Sequence, residues 1–367
     1  MTGRPAPAAR GRTTVVLAFS LLLGCGGGGG QPAAPGPVAT PPAAPASSVF
    51  TYAGATHVSW WHDQYLHPEA AAARAHLAST GGSWAGVLVT WYMDRADAST
   101  MAPDTLRTPS DAAVLQSIAD LRSRGLKVML KPHVDVKDDT WRGSIRPRDA
   151  GTWFASYTEF IVHYARMADA AGVELYCVGT ELVTLSGAGY RASWEAVIAA
   201  VRAAYRGPLT YAANATTAGD EFTSVAFWDR VDIAGLDAYV PLTDRLNPSR
   251  AELEAAWSRN RNGQNMVAAF RNWQASHRLP VFMTELGYRS ADGTNRAPYD
   301  YAAAAPPDPG EQADCYAAAF AVWSRESSWM KGILWWAWAV PPPGPADTDY
   351  TPRGKPAEEV LRQWQQS

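Results

Sequence analysis

The sequence predicts a (β/α)₈ TIM barrel, in which eight parallel strands alternate with helices around one closed sheet. From residue 50 onward, short β-branched or aromatic runs alternate with Ala/Leu/Arg-rich segments. Eight such pairs occur before residue 367, which fits one barrel better than two domains. The long connections all follow strands, as they do at the binding face of such barrels.

Each element is predicted from its own pattern. The strands are expected near 55–61, 84–91, 127–134, 173–180, 208–214, 231–238, 280–285 and 331–338. Helical segments are expected over 112–123, 153–171, 193–205, 251–276 and 312–324, with a last helix over 357–366. The long loops are 135–149, 287–310 and 340–356.

The N-terminus has the composition of a bacterial lipoprotein signal over residues 1–25. Three arginines precede the apolar run 14–23, and a small-residue site ends at Cys25, which predicts a lipid on that cysteine. An ordinary cleaved signal with an incidental cysteine is the alternative. Residues 26–49 are rich in Gly, Pro and Ala and predict a flexible tether, which leaves 50–367 as one domain.

These features predict a lipid-anchored protein of the bacterial cell envelope, at the outer membrane or cell surface, and otherwise a secreted one. The net charge of −3 favours no nucleic-acid partner. No second apolar stretch of about 20 residues occurs, so membrane contact is expected only through the lipid. Cys177 and Cys315 fall in a predicted strand and a distant predicted helix, which favours two buried free thiols over a disulfide.

Two apolar strands end abruptly on a carboxylate, at Glu181 and Glu285, each preceded by threonine. Strand ends of a parallel barrel meet at one mouth. Two acids about 5–5.5 Å apart can split a glycosidic bond by double displacement. A single glutamate at a strand end is more often a solvated or ion-paired rim residue, so the hypothesis depends on the pair.

Side chains alternate along a strand, so residues of the same parity as each glutamate are predicted to share its inward face. These residues are Cys177 and Gly179 on the fourth strand and Val281 and Met283 on the seventh. We expect small or slim side chains beneath each acid.

Further motifs accompany the two acids. They are Lys131-Pro-His133 on the third strand, Trp335-Trp336-Ala-Trp338 on the eighth, Thr-Glu285-Leu-Gly-Tyr288, and the closing Asp349-Tyr350-Thr-Pro-Arg-Gly-Lys355-Pro. Together they resemble glycoside hydrolase family 113, in clan A, over essentially the whole chain after residue 50. The resemblance implies a retaining β-glycosidase with Glu181 as acid/base and Glu285 as nucleophile, and β-1,4-mannan as the substrate. The sequence departs from the clan at Thr180, where many members have an asparagine that binds the sugar 2-hydroxyl.

Sugar rings combine apolar C–H faces with polar rims, so their sites pair flat aromatic rings with short polar groups. Seven tryptophans fall at or just beyond predicted strand ends: Trp60, Trp61, Trp91, Trp141, Trp335, Trp336 and Trp338. Trp335 or Trp336 is expected to lie under the bound sugar. Core packing is the alternative for any single tryptophan.

Lys131 and His133 share one parity and are predicted to point into the barrel mouth. A buried lysine needs an anion or a ligand, so Lys131 is predicted to contact a sugar hydroxyl or a carboxylate. For His133 a satisfied core histidine is the alternative. A tyrosine hydroxyl is expected beside Glu285, from Tyr239 or its competitor Tyr288. The predicted substrate-binding set is Trp60, Lys131, His133, Thr180, Asn214, Asp237, Tyr239, Tyr288, Trp335 and Trp336.

The sequence therefore predicts a retaining glycosidase for β-1,4-linked mannan or glucomannan that requires no metal and no organic cofactor. The expected partner is a polysaccharide or oligosaccharide, and the expected state is a monomer. The five-residue spacing of His57, His62 and His67 matches no zinc site. The alternatives are a β-glycosidase of other sugar preference and a glycan-binding lipoprotein without catalysis.

Overall fold

The computed structural model describes residues 49–366, so the predicted signal, Cys25 and the tether up to residue 48 lie outside the described residues. The eight strands are Tyr52–His57 (β1), Trp84–Met93 (β2), Lys127–Val136 (β3), Leu175–Thr180 (β4), Leu209–Asn214 (β5), Ile233–Asp237 (β6), Val281–Leu286 (β7) and Met330–Trp338 (β8). They form a closed barrel in chain order, and each neighbouring pair is parallel. The predicted (β/α)₈ fold is confirmed.

Helices surround the barrel. They are Pro68–Ala78 (α1), Asp111–Ser123 (α2), Ala150–Ala171 (α3), Arg191–Ala204 (α4), Arg250–Ala256 (α5), Met266–His277 (α6), Pro309–Trp323 (α7) and Pro356–Gln365 (α8). Within the described residues, two short 3₁₀ turns, Glu221–Thr223 and Trp228–Arg230, connect β5 to β6 without an α-helix. None of the helices in residues 49–366 is both long enough and apolar enough to cross a bilayer.

The single helix expected over 251–276 is wrong, because the chain turns between α5 and α6. Gly263 has a φ of 73°, which favours glycine. The side-chain oxygen of Asn260 accepts hydrogen bonds from the backbone N–H groups of Asn262 and Gln264 at 3.0 and 2.9 Å. Polar turn chemistry therefore interrupts a segment whose composition alone favours one long helix.

Side-chain caps explain where several helices begin. The first-turn N–H groups of α2, α3, α6 and α7 donate to the side chains of Ser110, Asp149, Asn265 and Asp308 respectively. The short helix α5 begins with a capping box between Ser249 and Glu252. These caps fix the segments that lead into the helices.

The barrel interior is apolar at its floor and polar above it. The floor is a separate cluster of six buried side chains: Trp84, Met129, Leu175, Ile233, Phe282 and Leu334. A much larger apolar layer lies between the sheet and the helices. Because the floor fills the N-terminal half of the barrel, side chains at the C-terminal ends of the strands surround an opening with polar walls.

The predicted alternation is wrong just before each glutamate. Val281 and Met283 belong to the outer apolar layer, whereas Phe282 points into the barrel floor. A Cβ on Gly179 would meet the rings of Tyr211 and Trp194, so this glycine faces the helices. The pairing register shifts between Cys177 and Thr180 on β4 and between Met283 and Leu286 on β7. An irregularity in each strand therefore turns its glutamate inward.

Cys177 and Cys315 are both free and buried, so the prediction of two unpaired thiols is confirmed. Burial raises the pKa of the Cys177 thiol to about 11, although the nearby Lys131 acts in the opposite direction. At neutral pH the thiol is therefore protonated and unreactive.

Candidate active site

Glu285 lies one residue before the end of β7 as a buried carboxylate with two strong donors. Its Oε1 accepts a hydrogen bond from Lys131 Nζ at 2.5 Å, and its Oε2 accepts one from the Tyr239 hydroxyl at 2.7 Å. Lys131 lies in β3, and Tyr239 lies two residues after the end of β6. Tyr239, not Tyr288, is therefore the tyrosine beside this acid. A cation and an O–H donor both stabilise an ionised carboxylate.

Lys131 is shared between two carboxylates. Its Nζ lies 3.1 Å from both oxygens of Asp237, and Thr284 Oγ1 donates to Asp237 Oδ1 at 2.6 Å. Burial alone would lower the pKa of Lys131, but the charges of Asp237 and Glu285 raise it above its ordinary value. Burial and the charge of Glu285 raise the pKa of Asp237 well above its ordinary value, while Lys131 opposes this shift. One ammonium thus links β3, β6 and β7.

His133 lies on the same face of β3 as Lys131, with its Nε2 3.6 Å from Glu285 Oε1. Burial lowers its pKa well below the ordinary value, and the charges of Arg142 and Lys131 act in the same direction. Among the described residues, neither ring nitrogen has a hydrogen-bond partner. A neutral imidazole in this position offers one donor and one acceptor to a ligand.

Trp336 forms an aromatic wall beside these polar groups. Its ring stacks on His133 at a centroid distance of 5.9 Å and an interplanar angle of 8°. Trp60 meets it edge-on at 6.3 Å, and both indoles are partly exposed. The wall therefore borders the side of the opening where Glu285 lies.

Glu181 follows β4 and receives three N–H donors. Its Oε1 accepts from Asn214 Nδ2 at 3.1 Å, and its Oε2 accepts from Trp141 Nε1 at 3.1 Å and Arg142 Nη1 at 3.2 Å. Its φ is 49°, a left-handed conformation that costs a non-glycine residue about 1 kcal/mol. Strain of this kind concentrates at functional sites, and here it accompanies the inward direction of the carboxylate.

Arg142 lies between the acidic groups. Its Nη2 contacts Asp135 Oδ1 at 2.5 Å, and its Nε donates to the carbonyl of Val134 at 3.2 Å. Burial alone would lower the pKa of Arg142, but Asp135, then Glu181 and Glu285, raise it above its ordinary value. Arg142 contacts Glu181, and the charge of Glu285 also raises the pKa of Arg142. The two carboxylates therefore border the same opening.

The sequence profile of Glycoside Hydrolase Family 113 matches residues 55–355. The chain belongs to this family. It is similar to the family 113 β-mannanase from Alicyclobacillus acidocaldarius, solved in complex with ManMIm, at 30% identity and a TM-score of 0.76 over 87% of this chain and 99% of that chain. Two further family 113 β-1,4-mannanase structures match at 26% and 25% identity, with TM-scores of 0.74 and 0.75, over 87% and 86% of this chain and 99% of theirs. No curated protein matches the chain.

The protein is thus a family 113 glycoside hydrolase, and two of its predicted substrate-binding residues require correction. Trp335 is fully buried and stacks on Tyr316 of α7 at 3.7 Å. Tyr288 is also fully buried in the outer layer, where Cys315 and Tyr316 of α7 influence its hydroxyl. Both side chains therefore face the helices. Strand alternation that turns Trp336 inward turns Trp335 outward, whereas Tyr288 lies beyond the end of β7.

Three other residues that were predicted to bind substrate contact groups of the protein itself. Asn214 donates to Glu181, and Asp237 pairs with Lys131. Thr180 is buried, with its hydroxyl 3.9 Å from Cys177 Sγ. Their contact with substrate stays a prediction.

A buried carboxyl behind Glu181 was not predicted from the sequence. Glu221 Oε1 accepts from the Tyr211 hydroxyl at 2.6 Å, and its Oε2 accepts from the backbone N–H of Asn214 at 2.7 Å. The Tyr211 hydroxyl in turn accepts from the backbone N–H of Leu182 at 2.9 Å. Glu221 thus holds Asn214 and, through Tyr211, the residue after Glu181. It lies in a 3₁₀ turn, where no periodicity marks it.

Burial raises the pKa of Glu221 from an ordinary 4.5 to about 7. The folded state therefore holds this proton more tightly than the unfolded state, and the corresponding stability is present below pH 4.5 and lost as the pH rises to about 7. Compared with the Glu221→Gln variant, the native protein is expected to lose about 3 kcal/mol of unfolding free energy between pH 4.5 and pH 8. Urea unfolding at intermediate pH values measures this difference.

The control for this prediction is Glu159→Gln, on the exposed face of α3. Its unfolding free energy is expected to follow the native pH profile. Parallel profiles for the native protein and Glu221→Gln would contradict the assignment of the proton to Glu221.

Proposed function

We propose that this glycoside hydrolase cleaves β-1,4-linked mannan or glucomannan by double displacement, with Glu285 as nucleophile and Glu181 as acid/base. The observation that carries the proposal is the different set of partners around two carboxylates at one opening. Glu285 has a lysine and a phenol, which stabilise an attacking anion. Glu181 follows another strand and accepts N–H donors from Trp141, Arg142 and Asn214, with Trp141 exposed. The choice of mannan follows the β-mannanases to which the chain is similar.

In the first step a Glu285 oxygen bonds to the anomeric carbon while the glycosidic C–O bond breaks. Glu181 gives its proton to the departing oxygen, and a glycosyl ester of Glu285 remains. In the second step Glu181 takes a proton from water, whose oxygen displaces the Glu285 carboxylate from the same carbon. Two inversions at that carbon retain its β configuration.

The charge on Lys131 stays balanced through this cycle. Formation of the ester removes the negative charge of Glu285, which would leave a buried ammonium unpaired if it had no other partner. Asp237 keeps both oxygens 3.1 Å from Nζ and supplies the second negative charge. Asp237 is therefore a positioning residue that holds Lys131 in place while the ester exists.

His133, Trp336 and Trp60 belong to the same side of the opening as Glu285. The sugar whose anomeric carbon is attacked must lie next to Glu285, so these residues border that ring. A neutral imidazole suits a sugar hydroxyl, and an indole suits the C–H face of the ring.

The test is hydrolysis of a panel of β-1,4-mannan, glucomannan, cellulose and xylan by the purified protein, with proton NMR of the first product. We expect reducing-end release from mannan or glucomannan and initial formation of the β-anomer. An α-anomer formed first would contradict double displacement. Preference for another glycan would favour a different sugar specificity, and release from none of them would favour the glycan-binding alternative.

A further inference from the structure

Trp141 is held in a fixed position by two neighbours, yet remains 47% exposed. Its Nε1 donates to Glu181 Oε2 at 3.1 Å. A Cβ on Gly143 would lie 2.4–2.6 Å from three carbons of the six-membered ring, so the indole lies directly over this glycine. The backbone of residue 143 therefore supports the ring where any other residue would displace it.

The loop that carries Trp141, residues 137–149 after β3, is fastened to neighbouring loops. Arg148 forms an ion pair with Asp97 at 2.7 Å, and the N–H of Arg146 donates to the carbonyl of Ala96 at 2.9 Å. The Thr184 hydroxyl, from the segment after β4, donates to the carbonyl of Ile145. An exposed indole on a loop held in this way loses little conformational freedom when a ligand packs against it.

The aromatic side chains at the opening divide into two groups. Trp336 stacks on His133, which lies beside Glu285, whereas Trp141 contacts Glu181. In the proposed function Glu181 protonates the oxygen of the departing sugar. That oxygen must lie within hydrogen-bond distance of Glu181, so the departing ring lies next to the indole bonded to the same carboxyl.

We propose that Trp141 is the aromatic platform for the sugar on the leaving-group side of the cleaved bond, a β-1,4-linked mannosyl or glucosyl residue. This inference rests on the proposed function. An open indole face matches the C–H face of a pyranose, and the backbone beneath it keeps the ring in one orientation. Trp141 thereby selects the leaving group, and it also selects the acceptor when a second sugar replaces water in the second step.

The test measures how the glycosyl ester is partitioned. The donor is p-nitrophenyl β-mannobioside, and the acceptor is mannobiose or methanol at a fixed concentration. Both acceptors and water need Glu181 as base, so its effect on their rates cancels in the ratio of transfer to hydrolysis. Trp141→Ala is expected to lower the ratio for mannobiose about tenfold and leave the ratio for methanol unchanged.

Two further variants separate the ring from its N–H group. Trp141→Phe keeps an aromatic face without the donor to Glu181 and is expected to retain the mannobiose ratio to within about threefold. Gly143→Ala keeps the indole but displaces it, and is expected to lower the ratio as Trp141→Ala does. Circular dichroism and the total release of nitrophenol verify that each variant is folded.

An unchanged mannobiose ratio in Trp141→Ala would overturn the inference while leaving the proposed function intact. Equal losses with mannobiose and methanol would also overturn it, since methanol has no pyranose ring to pack on the indole. Native protein that hydrolyses the donor but transfers nothing to abundant mannobiose would exclude a leaving-group sugar site. Native protein that cleaves neither mannan nor the donor would overturn the proposed function and the inference together.

Discussion

Glu285→Gln is expected to lower kcat/KM on β-1,4-mannan by at least about 10⁴-fold, because an amide cannot form the glycosyl ester. The fold is expected to persist. Lys131 retains both oxygens of Asp237, and the carbonyl of the introduced amide can still accept from the ammonium or from Tyr239. Reducing-sugar release and thermal unfolding measure the two effects separately.

Glu181→Gln is the matched comparison, since it makes the same chemical change in the other acid of the same opening. It is expected to lose activity on mannan but to retain formation of the glycosyl ester from 2,4-dinitrophenyl β-mannobioside, whose leaving group needs no proton. Activity of Glu285→Gln on this activated substrate at the native rate would contradict its role as nucleophile. Native activity of Glu181→Gln on mannan would contradict its role as acid/base.

Lys131→Met is expected to lower the unfolding free energy by about 3–5 kcal/mol at neutral pH, because two buried carboxylates lose their shared cation. The side chain of Asp237 is fully buried, and that of Glu285 is 5% exposed, so solvent screens neither. Without the ammonium, the pair is expected to take up a proton at higher pH than in the native protein. The acidic limb of the rate profile therefore moves to higher pH, and the loss of stability is smaller in acid.

Urea unfolding at several pH values and the pH dependence of kcat/KM measure these two consequences. The control is Lys127→Met, an exposed lysine at the start of the same strand, whose change is expected to stay within about 0.5 kcal/mol. If Lys131→Met and Lys127→Met behaved alike, the shared cation would have no role in holding the carboxylates.

Much of the barrel was predictable because its strands are short apolar runs separated by helical periodicity. β3 begins at the predicted Lys127 and β8 ends at the predicted Trp338, while β1 begins at Tyr52, three residues before its predicted start. Local polar turns limited the prediction of helices, as the break between α5 and α6 shows. The hydrogen bonds of Asn260 that hold the turn between these helices are set by a single side chain and leave no periodic trace.

The site was predictable where a residue follows from strand parity and less so elsewhere. Lys131 and His133 share an inward face because β3 pairs with β2 in one unbroken register over its whole length. The predictions for Trp335 and Tyr288 were wrong. The sequence does not tell which parity of β8 faces inward, and no strand parity applies to Tyr288, which lies beyond the end of β7. Arg142 and Glu221 went unnoticed, since they lie in loops where neither alternation nor helical spacing applies.

The direction in which each catalytic carboxylate points depends on the register of its strand as well as on residue type. In β7, Phe282 fills the barrel floor, and the register shift before Leu286 brings Glu285 to the same interior. Without this irregularity, regular pleating would place Phe282 and Glu285, which are three positions apart, on opposite faces and turn the carboxylate toward the helices, with no change in the chemistry of any side chain. Loss of the irregularity would therefore stop the reaction as completely as loss of the glutamate itself.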